Sequence, residues 1–242
     1  MKRVYYSLVV GLGLATIALA AYRVTTTGVG YQWLILASLT VITGPLAIPL
    51  PGVKAKISLA DTIICTNLVI FGPAAGALTA ALDGITGSLR CRTKGRRLEF
   101  LLFNTGAMTI SAALGGEFFV RALGGAAFHY TPVPSGGTFL ATLGLLAAVY
   151  YFCNTLMVAA MVALDQGQDM LTVWRKNFTW ALVNYVAATA VAGLLAVLGS
   201  WTVARTMITV VVVAAVLHVS IKGYVAKAAE AAKTVSVSSQ SG

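Results

Sequence analysis

The chain has 242 residues, 58% of them hydrophobic and only 10% charged, with a mean hydropathy of +0.86. A soluble domain carries about 25% charged residues, so an ordinary water-soluble enzyme and an intrinsically disordered chain are both excluded. The net charge of +10 is not a nucleic-acid signal, because the Lys and Arg residues gather in short loops between apolar runs and no basic face with interleaved aromatics appears.

Lys2 and Arg3 precede an apolar stretch, Val4–Tyr22. Ala18-Leu19-Ala20 would suit a signal peptidase, but the segment is read as a retained signal anchor, the first membrane helix. Tyr31–Leu50 is the second span, with Gly44 and Pro45 inside it. Two short runs follow, Leu59–Phe71 with 13 residues and Ala74–Leu89 with 16, divided by Gly72-Pro73. At 1.5 Å per residue these reach only about 20 and 24 Å, against ~30 Å of hydrocarbon. They are expected to form a short broken hairpin, since Pro73 cannot continue the first helix without a kink. The remaining runs are Leu98–Ala122, Phe139–Ala163, Phe178–Leu198 and Thr202–Val219, which makes eight apolar segments in all. The expected fold is all-α, a polytopic helical membrane bundle.

Charge placement orients it. With the amino terminus inside and each run reversing the side, fourteen of the seventeen Lys and Arg fall in inner loops; only Arg23, Arg121 and Arg205 fall outside. Treating 59–89 as one crossing would move Lys2, Arg3, Lys54 and Lys56 outside, against the positive-inside rule. Both termini are therefore expected in the cytoplasm of a cell whose inner membrane the chain crosses several times. Residues 1–221 form one integral membrane domain. Residues 222–242, with Lys222, Lys227, Glu230 and Lys233 and then a Ser-rich end, read as a cytoplasmic helix extension and a disordered tail.

Within Ala74–Leu89, the residues Gly76, Ala80, Gly84 and Ser88 recur every fourth position. Such a stripe lets another helix backbone approach closely, and tight packing at the centre of the bundle is its plain reading; a homodimer seam is the alternative.

Ionisable groups at membrane depth are costly and mark function. Asp61 and Asp83 both lie inside the short runs, and the Gly72-Pro73 turn brings those runs back on each other. The structural reading is that each accepts hydrogen bonds from N–H groups at a helix N-terminus or pairs with Lys54, Lys56 or Arg90, and Asp61, just after Ser58, suits the first-turn role. Asp83, deeper in its run, is the first choice for function. Asn67, Asn104, Asn154 and Asn184 each lie in a different run; interhelical hydrogen bonds explain such residues structurally. The functional reading is that they line a polar ligand cavity with Asp83, Asp61 and Tyr185. Glu117 and Arg121, four apart on one helix, are expected to pair. Trp33, Trp174, Trp180 and Trp201 stand near span ends, where an aromatic belt is the default.

No catalytic constellation is visible: there is no Ser-His-Asp set, no HExxH and no Walker loop. Cys65, Cys91, Cys153, His129 and His218 are too scattered for a metal site. No cofactor is expected, and the chain is not read as an enzyme.

The stretch from Gly44 to Arg90, GPLAIPLPGVKAKISLADTIICTNLVIFGPAAGALTAALDGITGSLR, resembles the membrane-embedded substrate-binding (S) components of energy-coupling-factor vitamin transporters. The likeness lies in a helix ending near IPLPGV, a short helix, a GPxxGAL turn and a small-residue helix. It implies a six-helix core from Tyr31 to Leu198, a small-molecule ligand, and a partner complex of membrane scaffold and ATPases. The part SLADT…FGPAAGALTAALDGITGSLR also resembles the membrane input regions ahead of bacterial HD-GYP or GGDEF signalling domains. That resemblance implies a sensor that passes a ligand state along its last helix to a signalling protein. A third reading, an enzyme acting on lipid head groups through Asp61 and Asp83 near Arg90–Arg97, ranks behind both.

Overall fold

A computed structural model describes residues 1–43, 48–49, 56–57, 59–90, 97–125 and 136–198. The expected span Thr202–Val219, the tail 222–242, and His129, His218, Cys91, Lys54 and Trp201 lie outside the described residues. So do Arg92, Lys94, Arg96 and Arg205.

The described chain is helical: α1 (Lys2–Thr26), α2 (Gln32–Thr43), α3 (Leu59–Phe71), α4 (Pro73–Arg90), α5 (Arg97–Ala122), α6 (Gly137–Gln166), α7 (Met170–Phe178) and α8 (Ala181–Leu198). The exception is a two-residue antiparallel pair, β1 (Ile48–Pro49) with β2 (Lys56–Ile57), in which Ile48 is paired with Ile57 and Pro49 with Lys56. Helices α1, α5 and α6 are each long and apolar enough to cross a membrane; α7 and α8 together make a fourth candidate span, bent by 59° at the break between them. Only 17% of the apolar window of α1 is buried in the protein. Val4, Leu8, Leu12 and Leu19 all point outward, an apolar face that suits lipid and not water.

The sequence placed a single span over Tyr31–Leu50, and the structure corrects it. Helix α2 covers Gln32–Thr43, and Ile48–Pro49, inside the expected span, form β1. The run Phe178–Leu198 is corrected as well. Its first residue closes α7, a helix of nine residues that includes Arg175 and Lys176, and the apolar segment proper is α8. Local signals fix this corner. Gly167, at φ +64°, ends α6 in the left-handed conformation that glycine adopts without penalty, and its N–H returns to the Ala163 carbonyl. Asp169 then caps α7, its Oδ2 accepting from the Thr172 N–H at 2.7 Å. That bond holds the exposed Asp169 carboxyl below the usual carboxylate range.

The short hairpin forms as expected. Gly72 takes φ +89° between α3 and α4, and Pro73 opens α4 at the position where a missing N–H costs nothing. Helix α3 is the centre of the bundle. Eleven of its 13 residues are buried, and it packs against α2, α4, α5 and α8. Its buried Ile64, Leu68 and Val69 belong to one core with Tyr150, Tyr185 and Ala188.

Close helix approaches hold the frame. All four members of the small-residue stripe on α4 are buried. A methyl group on Gly84 would stand 2.8 Å from Thr105 Cα on α5, so the two backbones meet there with no room for a side chain. One on Gly13 of α1 would collide with the Gly106 backbone of α5. The stripe thus packs inside the bundle, as its plain reading has it.

Ion pairs set the direction of the long helices. Lys2 pairs with Asp165, so α1 begins where α6 ends; Arg23 pairs with Glu117, so α1 and α5 end together. Glu117 also lies 3.9 Å from Arg121, the expected i,i+4 pair. Trp33 departs from the belt reading: it is 8% exposed and packs with Leu36, Ile63 and Phe71. Trp180 is 60% exposed, in keeping with that reading, and Trp174 donates to Thr155 Oγ1 at 2.9 Å.

Candidate ligand-binding site

Two helices begin partway along α6. Asp61 sits in the first turn of α3, and Asn184 sits three residues inside α8. Both meet the middle of α6, where Tyr150 and Tyr151 are fully buried. Asn184 Nδ2 donates to Asp61 Oδ2 at 2.5 Å, and the Tyr150 hydroxyl reaches Asp61 Oδ1 at 3.5 Å. One turn along α6, Asn154 Nδ2 bonds the Tyr185 hydroxyl at 2.7 Å. Tyr185 meets Tyr150 edge to face, with ring centres 4.9 Å apart, and Tyr151 at 5.6 Å. The break between α7 and α8 closes on the same place, for the Tyr151 hydroxyl donates to the Phe178 carbonyl at 3.2 Å.

Four of the residues singled out in the sequence therefore come together: Asp61, Asn154, Asn184 and Tyr185. Tyr150 completes the group and was missed. Its signal was a Tyr-Tyr pair in the middle of an apolar run, since a buried phenol hydroxyl needs a partner. Cys65, one turn after Asp61 on α3, is buried beside them.

Asp83 stands near this group without joining its hydrogen bonds. It lies within electrostatic range of Asp61 and of Arg90, which is two turns on along α4. Arg90 itself donates to the Val41 carbonyl of α2.

The other two asparagines lie elsewhere. Asn67 is fully buried near the α3–α4 turn and donates to Thr79 Oγ1 at 2.7 Å and to the Trp33 carbonyl at 3.4 Å. Asn104 reaches Ser88 Oγ at 3.2 Å between α4 and α5. Both carry out the interhelical bonding that the structural reading assigns to such residues.

Among the described residues, no three His, Cys, Asp or Glu side chains converge as metal ligands would. A separate crevice of about 150 Å³ opens at the end of the bundle between Lys2, Arg3, Tyr6, Glu99 and Met161. Compared with models of known protein families, with curated proteins and with solved structures, the chain matches none.

Proposed function

We propose that the protein is a multi-pass inner-membrane protein that binds a small, partly apolar solute within its helical bundle, as the solute-binding component of a transport system. The observation that carries this reading is the polar cluster of Asp61, Tyr150, Asn154, Asn184 and Tyr185, built where α3 and α8 start beside the middle of α6. Helix ends at membrane depth occur where they are buried in protein or line a cavity, and in transporters they line the substrate site. The tyrosines supply apolar walls, and the carboxylate and amides supply orientation, the usual division of labour in a small-molecule site.

The charge pattern supports the orientation. Lys2 and Arg3 open α1, Arg90 closes α4 and Arg97 opens α5, and the positive-inside rule assigns such an end to the cytoplasm. Eight segments with both termini inside fit this assignment. A scaffold with its ATPases is the partner such a component would need.

Native mass spectrometry of the detergent-purified protein tests the proposal. A small molecule retained by the wild type and lost from a folded Asp61→Asn variant is the expected result. Absence of any retained molecule from wild type purified under mild conditions, together with no stabilisation by any added solute, would overturn it.

A further inference from the structure

The end of the bundle where α1 and α5 begin holds a crevice of about 150 Å³, lined by Lys2, Arg3 and Tyr6 of α1, Glu99 of α5 and Met161 of α6. A space of that size takes several water-sized groups. Parts of its wall are held in place. Tyr6 lies against Phe103 of α5 with ring centres 6.4 Å apart, and Lys2 is tied to Asp165 near the end of α6. All three helices are long and apolar enough to span a membrane, and the crevice stands at the first turn of two of them. That is the level at which phospholipid headgroups meet the hydrocarbon.

The lining offers donors and an acceptor side by side. An ammonium group has three N–H donors and a guanidinium five. Lys2 gives one of its three to Asp165. Arg3 is exposed and forms no ion pair among the described residues, which include every Asp and Glu of the chain except Glu230. Glu99 is exposed as well. A carboxylate accepts at about four lone-pair positions, so a cation beside Glu99 still leaves it room for a ligand's donor. Beyond the crevice, Val4, Leu8 and Leu12 follow one another along α1 a turn apart, all exposed, and form an apolar surface for acyl chains.

We propose that this crevice seats the headgroup of a membrane phospholipid, its phosphate on Arg3 and Lys2, a hydroxyl or ammonium of the headgroup donating to Glu99, and its chains along α1. A phosphodiester carries a fixed negative charge, and guanidinium groups bind phosphate oxygens in pairs. A choline headgroup has no N–H or O–H to offer Glu99. A free phosphate ion would meet the same cations but gain nothing from the apolar face of α1. The site is separate from the Asp61 cluster and does not depend on it.

Phosphatidylethanolamine, phosphatidylglycerol and phosphatidylcholine with identical chains, titrated into the detergent-purified full chain and counted by native mass spectrometry, separate these cases. The first two are expected to bind several-fold more tightly than the third. Arg3→Gln should weaken both by roughly tenfold, the worth of a charge-assisted hydrogen bond. Arg175→Gln, which removes an equal charge from the exposed side of α7 outside the crevice, should leave them unchanged. Glu99→Leu should bring both down to the level of phosphatidylcholine, and it carries the test alone should Arg3→Gln fail to fold. Equal losses from Arg3→Gln and Arg175→Gln would reduce the binding to the general attraction of a basic surface and overturn the inference. Equal binding of the three lipids to the wild type would overturn it too. Displacement of bound lipid by an equal concentration of inorganic phosphate would mark the crevice as a phosphate site and end the lipid assignment, as would a wild type that binds no lipid.

Discussion

Asn184 Nδ2 lies 2.5 Å from Asp61 Oδ2, joining the first turns of two helices whose residues are 123 apart in sequence. The bond ties the start of α8 to the start of α3, and α3 is the most buried helix of the bundle. Among the described residues, replacing Asn184 by Leu would leave Asp61 with the Tyr150 hydroxyl at 3.5 Å as its remaining side-chain partner. Stranding a buried polar group costs about 1–3 kcal/mol, more for a charged one, so Asn184→Leu should lower the melting temperature in detergent. Asn184→Asp, which sets a second carboxylate against the first, should lower it further. Equal melting of all three proteins would mean the contact contributes nothing to stability.

Close backbone approach makes a second prediction with its own control. Gly84 faces Thr105 across the α4–α5 contact, whereas a side chain on Gly87, one turn on, would meet open space. Gly84→Leu should therefore separate the helices at about 1–3 kcal/mol or more, the usual cost of overpacking, while Gly87→Leu should be nearly neutral. The pair Gly13→Leu and Gly11→Leu should divide the same way on α1, where Gly13 meets Gly106 and Gly11 meets nothing. Thermal unfolding in one detergent reads all four. Equal losses from Gly84→Leu and Gly87→Leu would show that the stripe does not pack as described.

Cysteine labelling tests the orientation proposed for the bundle. Thr27 ends α1 and Gln168 joins α6 to α7, and both are exposed. After Cys65, Cys91 and Cys153 are replaced, a cysteine at 168 should react with an impermeant reagent from the cytoplasmic side only. One at 27 should react from the outside only. Labelling of both from one side would reject the proposed crossings.

The parts of the fold that were legible in the sequence are those written in local terms. Helices α1, α5 and α6 are continuous apolar runs and begin and end within four residues of where the sequence placed them. The hairpin turn is written in Gly72-Pro73. Helix α7 was missed because Arg175 and Lys176 made its segment look like a loop, although Gly167 and the Asp169 cap announce a helix end and a helix start. The strand at Ile48–Pro49 was missed because the apolar run Tyr31–Leu50 was read by its length. For the site, the sequence supplied the polar residues but not their grouping. Asp61 joins Asn184 rather than Asn67, which is on its own helix, because α3 presents different faces to α8 and to α4. Which face meets which neighbour depends on the packing of the whole bundle and is carried by no local pattern.

The Asp169 cap supplies a pH dependence whose sign follows from its bonds. The Thr172 N–H holds the folded-state carboxyl below its ordinary range, so the unfolded chain takes up a proton first as pH falls. The cap's contribution is present above the ordinary carboxylate range and is lost as pH drops through the lower, folded value. Asp169→Asn keeps a capping oxygen without the titration. The gap in melting temperature between wild type and Asp169→Asn should therefore move in favour of the variant in acid. A gap that stays constant from neutral pH into acid would show that the charge of Asp169 plays no part.

The two central carboxylates should divide their roles, and the order differs from the one the sequence suggests. Asp83 lies deeper in its own run, but the side-chain bonds from other helices converge on Asp61. Asp83 shares none of those bonds and lies only within electrostatic range of Asp61, with Arg90 as its own opposite charge. Neutralising Asp61 removes a contact made at the site, whereas neutralising Asp83 changes only the potential there. Asp61→Asn should abolish ligand retention, and Asp83→Asn should weaken it by roughly tenfold or less, a change of about 1.4 kcal/mol or under. The two variants should also answer salt differently. A field effect reaching the site from a partly buried group is screened more readily than a direct, buried hydrogen bond. Retention by wild type, Asp61→Asn and Asp83→Asn, measured at low and high ionic strength with a melting curve for each, tests both statements. Complete loss in Asp83→Asn with full retention in Asp61→Asn would reverse the assignment and place the ligand on α4 instead of at the start of α3.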